Sequence, residues 1–268
     1  MTTTATTKNT DRVSLRWTIT DALTITWRNL MSILRIPEAL FFSAFQPIMF
    51  ILLFRYVFGG AINAGPGISY VNYLIPGIFV QTVCFGAAGT AIGLSEDLQK
   101  GLIERFRALP MARSAVLAGR TTADLMRNVV TVCIMTVVAF AVGFRITTSV
   151  PGFIAGVAVM LFFAFALSWF MAIVGLSAPN PEVAQLMTFP LLFPFTFASS
   201  AFVPIQSMPS WLQGFATYQP VSVTVNAVRQ LMVENFHSPT PVWQALLWSM
   251  AMIIVLAPLA VRRYRSVA

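Results

Sequence analysis

The chain has 268 residues, of which 57% are hydrophobic and 10% charged, with 23 Phe, 13 Met and 6 Trp; its mean hydropathy is +0.77. That is more apolar surface than one water-soluble core of this size can hide, so lipid is the natural solvent for most of the chain and a soluble domain is excluded. The net charge of +8 is accounted for by membrane topology and contact with anionic lipid, and calls for no nucleic-acid partner.

In chain order, residues 1–11 are Thr-rich and read as a disordered tail. Residues 12–36 place Leu15, Ile19, Leu23, Trp27, Leu30 and Leu34 near helical spacing with Arg and Asp between them. Such a helix suits the membrane interface, with Trp17 and Trp27 at headgroup depth; the alternative is an ordinary cytoplasmic amphipathic helix packed on protein. Pro37 ends it, because proline disfavours helical geometry in the residue before it. Residues 37–268 then read as one membrane domain. It holds six apolar stretches of spanning length, near 38–58, 72–94, 124–144, 151–176, 185–203 and 242–261. Period-two alternation is not evident, which argues for helices over a barrel.

The first 37 residues carry Lys8, Arg12, Arg16, Arg28 and Arg35 without a preceding apolar run, so no cleavable signal is expected and the N-terminus stays in the cytoplasm. With six spans, the inner side also receives Lys100, Arg105, Arg107, Arg113, Arg120 and Arg127, and the tail adds Arg262, Arg263 and Arg265. Only Arg55, Arg145 and Arg229 fall outside. This asymmetry predicts a multi-pass protein of the cytoplasmic (inner) membrane with both termini inside.

Cys84 and Cys133 fall within spans, where a thiol behaves as a small apolar residue. His237 stands alone in an outer loop and reads as a surface imidazole, so no metal site is predicted. Pro190 and Pro194 predict a bend in the fifth span. The long segment between the fifth and sixth spans carries Trp211, Phe215 and Tyr218, which suit short helices at the outer interface or a re-entrant excursion over 204–240.

Between the second and third spans lies SEDLQKGLIERFRALPMARSAV, starting at Ser95. Ser95 suits an N-cap, followed by Glu96 and Asp97 in the first turn. Leu98, Leu102, Phe106 and Leu109 then make one apolar stripe, with Gly101 mid-helix at a cost of about 1 kcal/mol relative to Ala. An amphipathic rod of this kind fits either a groove in a soluble partner or a membrane-hugging connector.

The same run, with Asp97, Gly101, Glu104, Arg105, Phe106 and Pro110 in this order, resembles the cytoplasmic motif of type 2 ABC exporter permeases, and in particular the daunorubicin/doxorubicin-resistance branch of actinobacteria. WRNLMSILRIPEALFFSAFQPIMFILLF resembles that family's elbow helix and first span, YLIPGIFVQTVCFGAAGTAIGLS its second, and VRRYRSVA its ending. Glu104 stands where close relatives often carry Asp, which keeps the charge. The resemblance implies an all-α polytopic membrane protein of six transmembrane helices, with an N-terminal amphipathic elbow helix at 12–36 and a cytoplasmic coupling helix. It also implies a second permease, identical or homologous, and a separately encoded ABC ATPase in two copies. The six residues named above would belong to the coupling region.

No G-x-x-x-x-G-K-[ST] is present, so ATP and Mg are expected on the partner and this chain is a non-catalytic subunit with no cofactor of its own. An autonomous secondary transporter or channel, the rival reading, wants an ionisable group deep in a span, and none of the nine acids reads as deep. An intramembrane enzyme would want clustered His, Asp or Ser; Ser199 and Ser200 read as helix packing. The expected cargo is an amphiphilic drug or lipid moved outward. Phe41, Phe45, Phe79, Phe85, Phe163, Phe193 and Phe197 suit an apolar path, or plain packing and lipid contact.

Overall fold

The computed structural model describes residues 37–59, 62, 67–101 and 113–267, and every element among them is helical. Eight α-helices follow in order: α1 (Pro37–Tyr56), α2 (Tyr70–Gln99), α3 (Arg113–Ala141), α4 (Val150–Ser177), α5 (Pro181–Phe197), α6 (Ser210–Tyr218), α7 (Pro220–Met232) and α8 (Val242–Val267). A single 3-10 turn, Ile205–Ser207, precedes α6. The stretch assigned to the elbow helix, 12–36, lies outside the described residues.

Local chemistry sets where helices begin. Ser69 and Ser149 accept from the backbone N–H groups of Asn72 and Gly152 at the starts of α2 and α4, and Asn180 Oδ1 accepts from Val183 at 2.8 Å at the start of α5. Each cap satisfies a donor that the first turn leaves unpaired, worth about 1 kcal/mol. Pro151, Pro181 and Pro220 sit in the first turns of α4, α5 and α7, where a missing N–H costs nothing.

Helices overlie all six apolar stretches, with different ends. The fifth begins at Pro181 instead of 185 and ends at Phe197, with residues 198–203 forming a turn. Among the described residues, four helical segments are long and apolar enough to cross a bilayer: Tyr70–Gln99, Leu117–Ala141, Val150–Ser177 and Val242–Tyr264. α5, at 17 residues, and the apolar run Phe45–Tyr56 of α1 are shorter.

α2 and α4 form the centre. Their approach is close because Gly175 of α4 meets the backbone of Ala91 of α2 with no room for a Cβ, the small-residue contact through which membrane helices pack. α5 and α3 flank α2, α8 lies along α4, and α7 wedges between α2, α4 and α8. Phe79, Phe163, Leu74, Ile78 and Met160 fill the core with no exposure. Phe79 and Phe163 are therefore packing residues and leave the apolar path suggested by the aromatic pattern. Phe45 and Phe193 are exposed, and the side chain of Phe41 lies outside the description.

Two sequence expectations are overturned at the end of α2. Ser95 does not cap a new helix: it is buried within α2, which runs on to Gln99 because nothing in SEDLQ breaks helical geometry. Gly101 does not sit mid-helix either. Its φ is +64°, and its N–H donates to Leu98 O at 3.0 Å, a helix stop that favours glycine because no Cβ opposes the left-handed conformation. The stripe that sequence spacing draws from Leu98 to Leu109 is thus interrupted at Gly101. Among the six residues assigned to coupling, Asp97 and Gly101 are described; Glu104, Arg105, Phe106 and Pro110 lie outside the described residues.

Candidate functional site

Asp97 leads to the most charged interior cluster of the described chain. On α2, Gly86, Gly89, Thr90, Gly93 and Asp97 recur every three or four residues and so share one face. On α3, Arg120, Asp124, Arg127 and Asn128 do the same. The two faces meet. Arg127 Nη2 lies 3.1 Å from Asp124 Oδ1, Arg120 Nε 3.7 Å from Asp124 Oδ2, and Arg120 Nη1 3.7 Å from Asp97 Oδ2. Thr90 Oγ1 donates to Asp124 Oδ2 at 2.6 Å, Arg120 to Gly89 O at 3.3 Å, and Arg127 to Gly86 O.

The glycines make this possible. A Cβ at Gly89 or Gly93 would overlap the guanidinium of Arg127 or Arg120, so a bare α2 backbone provides the space those groups fill. Asp124 is buried, its side chain 2% exposed, while Arg120, Arg127 and Asp97 keep between 16% and 21%. Thr90 lies nine residues before the end of α2 and Gly86 thirteen, about 14 and 20 Å along the axis. Charges so far inside a spanning helix are costly unless paired and turned from lipid. Here two carboxylates face two guanidiniums, so the cluster is neutral as a whole.

This corrects the reading of the acids. Asp124, expected at the very start of the third apolar stretch and not deep, is instead the buried centre of the cluster, because α3 begins at Arg113, well before that stretch. Arg120 and Arg127 likewise belong to the helix pair. The signal was present in the sequence as two stripes of matching period, but only their juxtaposition gives them meaning.

At the opposite end of α2 stands a second polar cluster, around a residue that sequence reading assigned to the outer loop. Arg229 of α7 is fully buried. Its Nε donates to Tyr73 O at 2.7 Å and Nη2 to Ala201 O at 2.8 Å, and the guanidinium stacks 3.5 Å over the Tyr73 ring. No carboxylate pairs with it among the described residues. Tyr70 and Tyr73 hydroxyls donate to Phe202 O and Ser200 O at 3.2 and 3.1 Å, and Ser200 is held by Ser222 and Asn226. Gly77 of α2 lets the Ala201 carbonyl approach, since a Cβ there would overlap that backbone. The turn at 198–203 is thereby fastened to both α2 and α7.

In chemical terms the two clusters are mechanical. The charged one clasps the C-terminal half of α2 to the N-terminal half of α3. Neither cluster arranges a nucleophile beside a base.

An all-helical arrangement among the described residues, with four helices long and apolar enough to cross a bilayer, defines an α-helical membrane protein. Residues 20–233 match the model of the ABC-2 type transporter family, and the chain belongs to that family. It is 33% identical over 251 residues, 92% of this chain and 87% of the relative, to the daunorubicin resistance ABC transporter permease protein DrrB1 of Streptomyces coeruleorubidus. It is 26% identical over 221 residues, 82% of this chain and 79% of the relative, to the "Probable doxorubicin resistance ABC transporter permease protein DrrC" of Mycobacterium tuberculosis. The chain is a transmembrane permease subunit of an ABC exporter, as this family and these relatives indicate.

Proposed function

We propose that this permease crosses the cytoplasmic membrane six times with both termini inside, pairs with a second permease, and receives work from a separate ABC ATPase that docks on the segment from Asp97 to Pro110. The observation that carries this reading is the clasp. Asp97, four residues from the helix stop at Gly101, is joined through Arg120 to Asp124 and Arg127. Force applied to the docking segment therefore acts on α2 and α3 as one lever, and through the Gly175 contact on α4. ATP and Mg belong to the partner, and this chain converts their closure into rearrangement of helices.

The orientation is supported by charge even after the structure is taken into account. Setting aside Arg120 and Arg127, engaged in the clasp, and Arg229, buried, leaves twelve Lys and Arg inside against Arg55 and Arg145 outside. On this reading α1 and α5, both short, are the first and fifth crossings, and α6 presents Trp211 and Tyr218, 79% and 66% exposed, to the outer interface. The cargo is an amphiphilic drug or lipid moved outward, and the drug-resistance names of the relatives favour a drug. An ion-coupled transporter is disfavoured because Asp124, the deep acid such a mechanism would use, is already bonded to Thr90 and paired with two arginines.

Glu104→Lys and Gly101→Val test the docking role. Each is expected to reduce co-purification of the ATPase or to leave ATP hydrolysis running without transport, while membrane insertion stays intact. Normal ATP-driven transport by both variants would refute it.

A further inference from the structure

Between α1, α2 and α3 the bundle is not filled. A cavity of about 160 Å³ lies there, with Gln46, Gln81, Thr82, Phe85, Asn128 and Thr131 among its walls. Gln81 lies 18 residues from the C-terminal end of α2 and 11 from its N-terminal end, so the cavity sits near mid-helix, about 27 Å from one end and 17 Å from the other.

Its polar groups are unusual for that depth. Gln81 and Asn128 are 3% and 2% exposed, and the amide nitrogen of each has no hydrogen-bond acceptor. Buried donors are almost always paired, so two orphans on one cavity call for a partner that enters it. Thr82 and Thr131 spend their hydroxyl protons on Ile78 O at 2.7 Å and Arg127 O at 3.1 Å, which leaves both oxygens able to accept. None of the lining residues is charged. A phosphate or an ammonium would find no free counter-charge there, since Arg127 beside Gly86 is already paired with Asp124, whereas a ketone, ether or hydroxyl oxygen would meet the amide N–H groups once either side chain turns toward the space. The space exceeds by far what a single water needs. Phe85 also walls a second, largely apolar groove between α2 and α5, where Ile92, Leu186 and Phe189 offer ring-sized contact and Glu182 and Gln185 also line the wall.

We propose that the cavity bounded by Gln81 and Asn128 binds the uncharged, oxygen-bearing part of the transported amphiphile, with its apolar part lodged against Phe85 and the adjoining groove. This names a substrate class for the exporter reading and rests on it.

Daunorubicin, fluorescent and carrying several ketone and hydroxyl oxygens, serves as the probe. Its anisotropy is titrated with the full chain in lipid nanodiscs, as wild type and as Gln81→Leu, Asn128→Leu and Thr196→Val. Thr196 is equally buried but away from the cavity. Each of the first two substitutions is expected to raise Kd about three- to tenfold, the effect of one lost hydrogen bond, with Thr196→Val unchanged. Unaltered Kd in both cavity variants, as for a cavity that holds only water, overturns the inference. So does an equal loss in Thr196→Val, or no saturable binding by the wild type. Binding that responds to the two cavity substitutions, without ATP-driven uptake when the ATPase is supplied, keeps the site and removes the exporter reading.

Discussion

At its C-terminal end α2 is tied to α3 by two carboxylates facing two guanidiniums, while near its N-terminal end it is tied to α7 and the 198–203 turn by one guanidinium facing backbone carbonyls. The first arrangement is charge-balanced, and each partner depends on another being present. In the second, Arg229 carries its charge alone among the described residues, and its acceptors are neutral. Removing one member of the clasp therefore leaves its charges unbalanced, whereas removing Arg229 strands only carbonyl oxygens. The clasped end is held by mutual charge, and the opposite end by hydrogen bonds to neutral acceptors.

The sharpest way to break this contrast is Asp124→Asn. It leaves Arg120 and Arg127 facing a neutral amide, and breaking a buried pair from one side costs about 3–5 kcal/mol. The expected result is a large fall in the thermal unfolding midpoint, followed by tryptophan fluorescence in detergent, and poor accumulation in membranes. An unchanged midpoint would show that the cluster holds nothing together.

Arg229→Met comes next. It forfeits two hydrogen bonds and the stack on Tyr73 but also relieves the burial of a lone charge, so a net loss of about 1–3 kcal/mol is expected. Hydrogen exchange should rise at 198–203. A destabilisation as large as that of Asp124→Asn would erase the distinction between the two ends.

A smaller difference is expected between two glycines on α2. Gly77→Ala drives a methyl into the backbone of Ala201, which has nowhere to go, for about 1–3 kcal/mol. At Gly93→Ala the nearest atoms belong to the guanidinium of Arg120, a flexible end that can shift at the expense of its contacts with Asp97 and Gly89, and the better helix propensity of Ala returns about 1 kcal/mol. Unfolding midpoints of the two variants should therefore separate, with Gly77→Ala the lower. Equal midpoints would mean that the turn at Ala201 yields as readily as a side chain.

Lys100→Cys and His237→Cys, in a background with Cys84 and Cys133 replaced by Ala, should leave stability unaffected and assign the two ends to sides. Both positions are exposed. An impermeant thiol reagent should label residue 237 from outside and residue 100 only after permeabilisation. Labelling in the reverse order would exchange the two ends and put the clasp outside.

Much of the helical layout was legible because apolar length and cap residues are local. The starts capped by Ser149 and Asn180 are equally local, but apolar length alone drew the fifth stretch from 185, four residues past the helix start at Pro181. The boundary at Ser95 misled for a related reason. A polar run after an apolar one reads as a new helix, yet the same residues extend α2 when their charges find partners on α3. Arg229 misled in another way, since a basic residue between two apolar stretches reads as a loop charge until Tyr73 and Ala201 are seen to enclose it.

Composition and hydropathy by themselves determined that the chain lives in lipid as a set of helices, and the run from Asp97 to Pro110 was enough to suggest its relatives, since these properties depend on residues near one another in sequence. Which polar groups meet was decided only by tertiary structure. Thr90 and Asp124 lie 34 positions apart, Tyr73 and Arg229 156 apart. No local rule pairs them, because the energy of a buried polar group depends on what packs beside it and not on its neighbours along the chain.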